Sequence, residues 1–213
     1  MVMFYSMKKL FTILFIFLST FSFIFAQTTA DEVCKSLTAN KVTTGTFVQV
    51  KKAKNLKRPL KSSGTYIFSQ NGIAWQNQKP FKSSTIITKE YMIQIAPDGK
   101  KTVIDGSSNE TFKSASATLS SLFSGSKSDL EKVFTIKSFS SDATSWKMIL
   151  NPKDKTIAQS LKEITLSGKV SSKETSLDFL EVIQNETTST TYTLSNQTYK
   201  QELSIDEKNL FAK

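Results

Sequence analysis

The sequence predicts a mainly β protein to which a few helices are added. Many short runs alternate apolar or β-branched residues with polar ones, and turn residues separate these runs. Apolar residues recur at helical spacing in only a few places, and neither an internal repeat nor a long linker divides the chain. The pattern amounts to about eleven strands in one domain, enough for a sheet to curl strongly or to close.

Residues 1–26 have the layout of a secretory signal peptide. Lys8 and Lys9 form the basic start, residues 10–25 are almost wholly apolar, and Ala26 precedes a polar Gln27. The apolar run of about 16 residues is shorter than the roughly 20 that span a bilayer. We therefore expect cleavage near Ala26, export to the periplasm, and a single folded domain over residues 27–213.

A helix is predicted at the start of this domain. Thr29 and Glu32 have the spacing of a capping box, in which each side chain accepts a hydrogen bond from a free backbone amide of the other residue. Ala30, Val33, Cys34 and Leu37 follow on one apolar helix face. Cys34 is thus predicted to be a small buried hydrophobic residue and not a reactive thiol.

The strands follow in two groups, on either side of a Ser-, Ala- and Thr-rich stretch over residues 107–128. Asn71-Gly72 is a two-residue hairpin signal within the first group. Between the groups, an apolar cluster that ends at Gly125 predicts a short helix, and Ser128 predicts a further helical turn. The predicted strands cover 43–50, 62–69, 73–75, 82–88, 90–96, 102–104, 133–139, 145–150, 161–168, 176–184 and 188–196.

The composition argues against an enzyme. The chain has no histidine, which excludes Ser-His-Asp and Cys-His catalysis and removes the commonest zinc ligand. Cys34 is the one cysteine, so an intramolecular disulfide is excluded. Asp178 and Glu181 are three residues apart on a predicted strand and would point to opposite faces. We expect no catalytic residues, no cofactor and no metal.

The formal net charge is +10, and only Arg58 among the 28 basic residues is an arginine. Recognition of base edges and phosphates depends on arginine, so a nucleic-acid partner is not expected. Six cations without an acid form what we call the basic loop. Its cations are Lys51, Lys52, Lys54, Lys57, Arg58 and Lys61. Two interpretations remain open: a docking loop for anionic headgroups or an acidic partner, or a solvated hairpin loop.

An ordered series of motifs runs through the chain. Residues 45–49 read Gly-Thr-Phe-Val-Gln, a strand entered through Gly64 follows, and Trp75 precedes Pro80 by five residues. Residues 119–123, 150–153 and 161–164 continue the series as Leu-Ser-Ser-Leu-Phe, Leu-Asn-Pro-Lys and Leu-Lys-Glu-Ile. In this order and spacing the chain resembles the outer-membrane lipoprotein carrier (LolA-like) family over essentially its whole exported part.

The resemblance implies an incomplete, strongly curved antiparallel β-barrel whose open side is closed by short lid helices. It also implies a monomeric periplasmic carrier whose cavity holds the acyl chains of lipoproteins. Such a carrier takes its cargo from an inner-membrane lipoprotein-releasing transporter and passes it to an outer-membrane acceptor, with transient contact at the membrane surface.

The chain departs from the family pattern at one place. The family typically has an arginine shortly before the tryptophan, which is thought to hold the lid helices, whereas this sequence has Ser69 and Gln70 there. Neither side chain offers a guanidinium, so we expect the lid to be held by other contacts.

The residues that would line an acyl cavity are the apolar positions of the predicted strands. The predicted wall consists of Phe47, Tyr66, Phe68, Trp75, Ile87, Met92, Ile93, Ile95, Met148 and Leu150, and the predicted lid of Leu119, Leu122 and Phe123. The same residues could form an ordinary core, with the lid helix as a plug, because alternation shows that a face is buried and not what lies beside it. The alternative function is an envelope lipid-binding sensor or protein-interaction scaffold that transports no lipoprotein.

Overall fold

The structure is a computed structural model that describes residues 28–106, 121, 125–171 and 174–212. One antiparallel sheet of eleven strands forms the scaffold, in the order β6-β5-β4-β3-β2-β1-β11-β10-β9-β8-β7. The strands are β1 Val42–Ala53, β2 Leu60–Ser69, β3 Gly72–Lys79, β4 Ser83–Ile87, β5 Tyr91–Ile95, β6 Lys101–Asp105, β7 Phe134–Ser141, β8 Ser145–Pro152, β9 Glu163–Lys169, β10 Phe179–Asn185 and β11 Thr188–Lys200. The predicted fold class and strand number are confirmed.

The sheet consists of two arms that meet at its centre. Hairpin connections build β1–β6 as one arm and β7–β11 as the other, and β1 pairs with β11 from Val42↔Lys200 to Ala53↔Thr188. Strands β6 and β7 are the two edges and do not pair with each other. The sheet is therefore an open half-barrel, whose middle joins the beginning and the end of the folded chain.

Four helices are described: α1 Ala30–Leu37, α2 Lys127–Val133, α3 Lys155–Ser160 and α4 Ile205–Leu210. The Thr29–Glu32 capping box of α1 is present as predicted. Helix α2 is capped by Ser126, two residues before the predicted Ser128. Helices α3 and α4 are short and were not predicted; their N-cap residues are Asp154 and Ser204.

The curvature of the sheet is visible in one contact. Trp75 on β3 and Tyr192 on β11 are separated by three strand spacings, which would be about 14 Å in a flat sheet, yet their ring centroids are 5.0 Å apart. The face that carries both rings is therefore concave, and we call it the inner face. Helix α1 covers part of it with Val33, and helix α2 with Leu130.

The outer face has a smaller core of its own. Ile67, Ala74 and Ile86 are buried there beneath Leu203 and Phe211. The Tyr91 hydroxyl also donates a hydrogen bond to the carbonyl of Phe211. The C-terminal segment with α4 thus packs on the outside of the first arm, on the face opposite to α1 and α2.

The described residues contain neither a membrane-spanning helix nor a cluster of metal ligands. No helix among them has the length and apolar character needed to cross a bilayer. No group of cysteine, aspartate or glutamate side chains in these ranges is arranged to hold a metal ion.

Candidate functional site

An aromatic cluster occupies the centre of the inner face. The ring of Trp75 lies 4.9 Å from Phe47, 5.6 Å from Tyr66 and 5.5 Å from Phe68, measured between centroids. Phe47, Tyr66 and Phe68 are buried, whereas Trp75 and Tyr192 are only half-buried. The cluster therefore consists of three buried rings and of two rings, those of Trp75 and Tyr192, that retain exposed apolar surface.

The second arm continues this apolar surface. The register places Phe139, Met148, Leu166, Leu180 and Tyr192 side by side on β7 to β11. Met148 and Leu166 are buried, and the other three are half-buried. An apolar track thus runs across the inner face from the edge strand to the aromatic cluster.

Most of the predicted wall lies in this one region. Phe47, Tyr66, Phe68, Trp75, Met148 and Leu150 belong to the same cluster. Ile87 and Met92 face the same side, because Ile87 pairs with Ile73 of that cluster and Met92 pairs with Ile87. Whether these residues contact a lipid stays a prediction.

Ile93 and Ile95 are a correction to the predicted wall. Both pack in the outer core with Ile86 and Tyr91. Successive side chains of a strand point to opposite faces, so Ile93 cannot line the same cavity as Met92. The sequence prediction was wrong because β5 is apolar on both faces, which hides the alternation.

Several inner-face residues were missed in the sequence. Trp146 is fully buried and its Nε1 donates to the carbonyl of Ser176 at 3.0 Å. Tyr192 and Leu180 carry the half-buried surface between the arms. The signal was present for Tyr192, because Tyr192 and Leu194 alternate with threonines along a predicted strand.

The predicted lid residues Leu119, Leu122 and Phe123 lie outside the described residues. The described chain reaches this region at Gly125, which has φ +73°. A Cβ atom at Gly125 would lie 2.1 Å from the Thr38 hydroxyl oxygen, so the chain passes close to the end of α1.

A partly open cavity of about 150 Å³ lies where α1 leads into β1. Leu37, Phe68 and Leu177 supply its apolar lining, and Tyr66 and Tyr199 are among its polar lining residues. Ser69 and Gln70, at the place of the family arginine, also line it.

Two polar side chains of this cavity are hydrogen-bonded to each other, and one buried hydroxyl is not paired within the described residues. The Tyr199 hydroxyl donates to Gln197 Oε1 at 2.7 Å, and Gln197 Nε2 donates to the Leu177 carbonyl at 2.7 Å. The Tyr66 hydroxyl is buried and has no hydrogen-bond partner among the described residues. Burial, with a smaller contribution from the charge of Asp178, raises the pKa of Tyr66 well above its ordinary value.

The basic loop forms the β1–β2 hairpin. Lys51 and Lys52 lie at the end of β1, Lys61 lies at the start of β2, and the remaining three cations lie between the strands. None of the six forms an ion pair with a carboxylate in the part of the chain that the structure describes. Its role in docking stays a prediction.

Residues 25–184 match the model of the family described as "outer membrane lipoprotein carrier protein LolA-like". The chain belongs to the LolA-like family. Its open, curved antiparallel sheet agrees with that assignment. No curated protein matches the chain.

Two solved structures are similar to this LolA-like chain in part. A LolA superfamily protein from Nitrosomonas europaea is 9% identical, with a TM-score of 0.44, 87% of this chain covered and 98% of that one. A DUF1329 family protein from Desulfovibrio piger is 12% identical, with a TM-score of 0.43, 78% of this chain covered and 88% of that one.

Proposed function

We propose that the protein is a periplasmic carrier that holds lipoprotein acyl chains against the inner face and carries them towards the outer membrane. The observation that carries this proposal is the half-buried pair Trp75 and Tyr192, which join the two arms and leave apolar surface uncovered on the concave side. Membership of the LolA-like family supports the same function.

The physical chemistry of the inner face suits a carrier. Each buried methylene contributes about 0.8 kcal/mol, so covering five methylenes of a chain contributes roughly 4 kcal/mol. An apolar surface binds without directional bonds, and therefore a small movement of whatever covers it changes the affinity strongly. We assign the movable cover to Leu119, Leu122 and Phe123.

The remaining parts of the proposal follow from the same assignment. The chain is exported by a signal peptide that is cleaved near Ala26, acts as a monomer, and receives its cargo from an inner-membrane transporter for delivery to an outer-membrane acceptor. Binding and release involve no covalent step, so the carrier needs neither catalytic residues nor a cofactor.

Dye displacement tests cargo binding. The purified protein should enhance the fluorescence of an environment-sensitive apolar dye, and a triacylated lipopeptide should displace it. Leu180→Glu places a carboxylate on the inner face, and we expect it to weaken lipopeptide binding at least about tenfold, because charge burial is costly. Absence of dye enhancement, or no displacement by the lipopeptide, would rule the carrier function out.

The matched control puts the same charge on the other side of the sheet. Val48 lies on the outer face of β1 and is 49% exposed. We expect Val48→Glu to bind the lipopeptide like the unchanged protein. Thermal unfolding of both variants separates loss of the binding surface from loss of the fold.

One observation favours a scaffold without lipid cargo. Trp146, Met148 and Leu150 are fully buried, so the chain's own side chains already fill that part of the inner face. Affinity capture from envelope extracts distinguishes the two functions. A captured protein complex without co-purifying lipid would support the scaffold and contradict the carrier.

A further inference from the structure

Three hairpins meet along one end of the first arm. The β1–β2, β3–β4 and β5–β6 connections all leave the strands at this end, and the strand order places them side by side. Strands are about 4.8 Å apart, so neighbouring hairpins are roughly 10 Å apart and the three span roughly 20 Å. We call this row of loops the basic rim.

The basic rim is positively charged almost without compensation. The basic loop supplies six cations, and Lys79, Lys82, Lys100 and Lys101 add four more from the other two hairpins. Asp98 is the one acid in these loops, and its carboxylate accepts the backbone amide of Lys100 at 2.9 Å. Within the described ranges, none of these cations has a carboxylate partner. The charge is therefore available to an external partner.

Large apolar side chains are exposed among these cations. Phe81 in the β3–β4 connection is 69% exposed, and Leu60 at the start of β2 is 56% exposed. In the described part of the chain, neither residue belongs to the inner-face cluster or to the outer core. Loops at the other end of the sheet contain acids such as Glu90, Asp142 and Glu174. At the end with the basic rim, the adjacent β10–β11 turn contributes Glu186, whose carboxylate pairs with Lys162 at 3.3 Å, so the unpaired positive charge is concentrated in the hairpins of the first arm.

We propose that the basic rim docks onto an anionic lipid bilayer, with Phe81 and Leu60 inserted among the headgroups. Lysines beside exposed aromatic and aliphatic side chains are the composition that binds such an interface. Nine of the ten cations are lysines, which bind as point charges and do not form the bidentate pairs that arginine makes with protein carboxylates. A row of three loops also presents a broad surface and not a groove for one peptide. This contact does not depend on cargo in the inner face.

Vesicle co-sedimentation tests the proposal. The protein is mixed with phosphatidylcholine vesicles, with and without phosphatidylglycerol. Every variant keeps the same N-terminal segment, so any membrane binding by that segment is the same in all of them. We expect binding only to the phosphatidylglycerol vesicles, and weaker binding as salt is raised. Lys54→Glu/Lys57→Glu/Arg58→Glu should weaken binding by tenfold or more, since each cation near the surface contributes substantially.

Two matched controls separate the effect of the basic rim on vesicle binding from the effects of net charge and of exposed apolar side chains elsewhere. Lys89→Glu/Lys147→Glu/Lys208→Glu makes the same change in net charge at exposed sites elsewhere. Ile205→Ser removes a side chain that is 78% exposed at the start of α4. We expect both to bind like the unchanged protein, whereas Phe81→Ser should lose roughly tenfold in affinity.

Depth of insertion gives a second, independent measurement. Phe81→Trp adds an indole at the rim, and lipids brominated on their acyl chains should quench the indole fluorescence in phosphatidylglycerol vesicles but not in phosphatidylcholine vesicles.

Equal loss of binding in the two triple variants, or unquenched indole fluorescence of bound Phe81→Trp, would overturn the proposal. Binding to a polyacidic protein with none to vesicles would assign the rim to an acidic protein partner and overturn it too. The carrier function is tested separately by displacement of the apolar dye. If the vesicle experiments fail but the lipopeptide still displaces the dye, only the membrane-docking proposal is wrong.

Discussion

The hydroxyl of Tyr66 is buried beneath the inner face, and no residue in the described ranges forms a hydrogen bond with it. An unsatisfied buried polar group costs about 1–3 kcal/mol. We therefore expect Tyr66→Phe to leave the free energy of unfolding unchanged or to raise it by about 1 kcal/mol. Urea denaturation, followed by circular dichroism, measures this change.

Tyr91 provides the matched control, because its hydroxyl donates to the carbonyl of Phe211. Tyr91→Phe should lower the free energy of unfolding by about 1 kcal/mol, the usual value of one hydrogen bond. If Tyr66→Phe proved the more destabilising change, the Tyr66 hydroxyl would have to be hydrogen-bonded in solution.

Gly64 lies at an irregularity in the pairing of β2 with β3 that leaves no room for a side chain. A Cβ atom there would be 1.9 Å from the carbonyl oxygen of Gln76, and the pairing register shifts between Ser63 and Gly64. Gly64→Ala should destabilise the protein by about 1–3 kcal/mol or force the strands apart. Ser63→Ala, at the adjacent position, should stay within about 0.5 kcal/mol in the same urea titration.

Asp142 closes the turn between β7 and β8. Its carboxylate accepts hydrogen bonds from the backbone amides and hydroxyls of Thr144 and Ser145, which lower the pKa from 3.8 to about 2. A lowered folded pKa stabilises the turn above pH 3.8, and this contribution is lost as the pH falls towards about 2. Carboxyl NMR titration should show this low pKa, and a value near 3.8 would contradict the turn geometry.

At the scale of elements, α4 depends on few contacts. Phe211 is 6% exposed and packs with Leu203 on the outer core. Phe211→Ala should cost about 3–5 kcal/mol, as for other buried aromatic truncations, and should release α4 from the first arm. Ile205→Ala in the same helix changes a side chain that is 78% exposed, so we expect less than about 0.5 kcal/mol. Similar costs for the two variants in a urea titration would show that α4 is not anchored by Phe211.

The sequence predicted the strands and α1 well, because alternation and the Thr29–Glu32 capping box are local signals. It did not predict α3 and α4, which have only six residues each, although Ser204 and Glu207 form the same kind of capping box that marks α1. It also assigned Ile93 and Ile95 to the wrong face. The register of β5 with β4 sets which side chains of β5 point to the inner face, since Ile86 pairs with Ile93 and Ile87 with Met92. A run of apolar residues does not reveal this register.

The candidate site was predictable only in part, for a related reason. Phe47, Tyr66 and Trp75 belong to neighbouring strands of the first arm, so alternation and hairpin order bring them together. Tyr192 reaches Trp75 only because the whole sheet curls. That curvature comes from twist accumulated over many strands, which no local pattern expresses.

For the whole molecule, the pairing of β1 with β11 is decisive. These strands make the most extensive register in the sheet, and they join the two arms. A chain truncated before Thr188 would leave both arms without their central partner. We expect it to be unfolded or aggregated by circular dichroism and size exclusion, whereas a chain that lacks only residues 201–213 should keep its β spectrum.

The order of synthesis gives this pairing a further consequence. The hydroxyl of Thr46 donates to the carbonyl of Ser195 across 149 residues of sequence, and its strand begins to leave the ribosome long before its central partner exists. Contacts between distant parts of a chain slow folding. The first strand therefore cannot complete its pairing until the last strand is available, and until then its unpaired edge is exposed to aggregation and proteolysis.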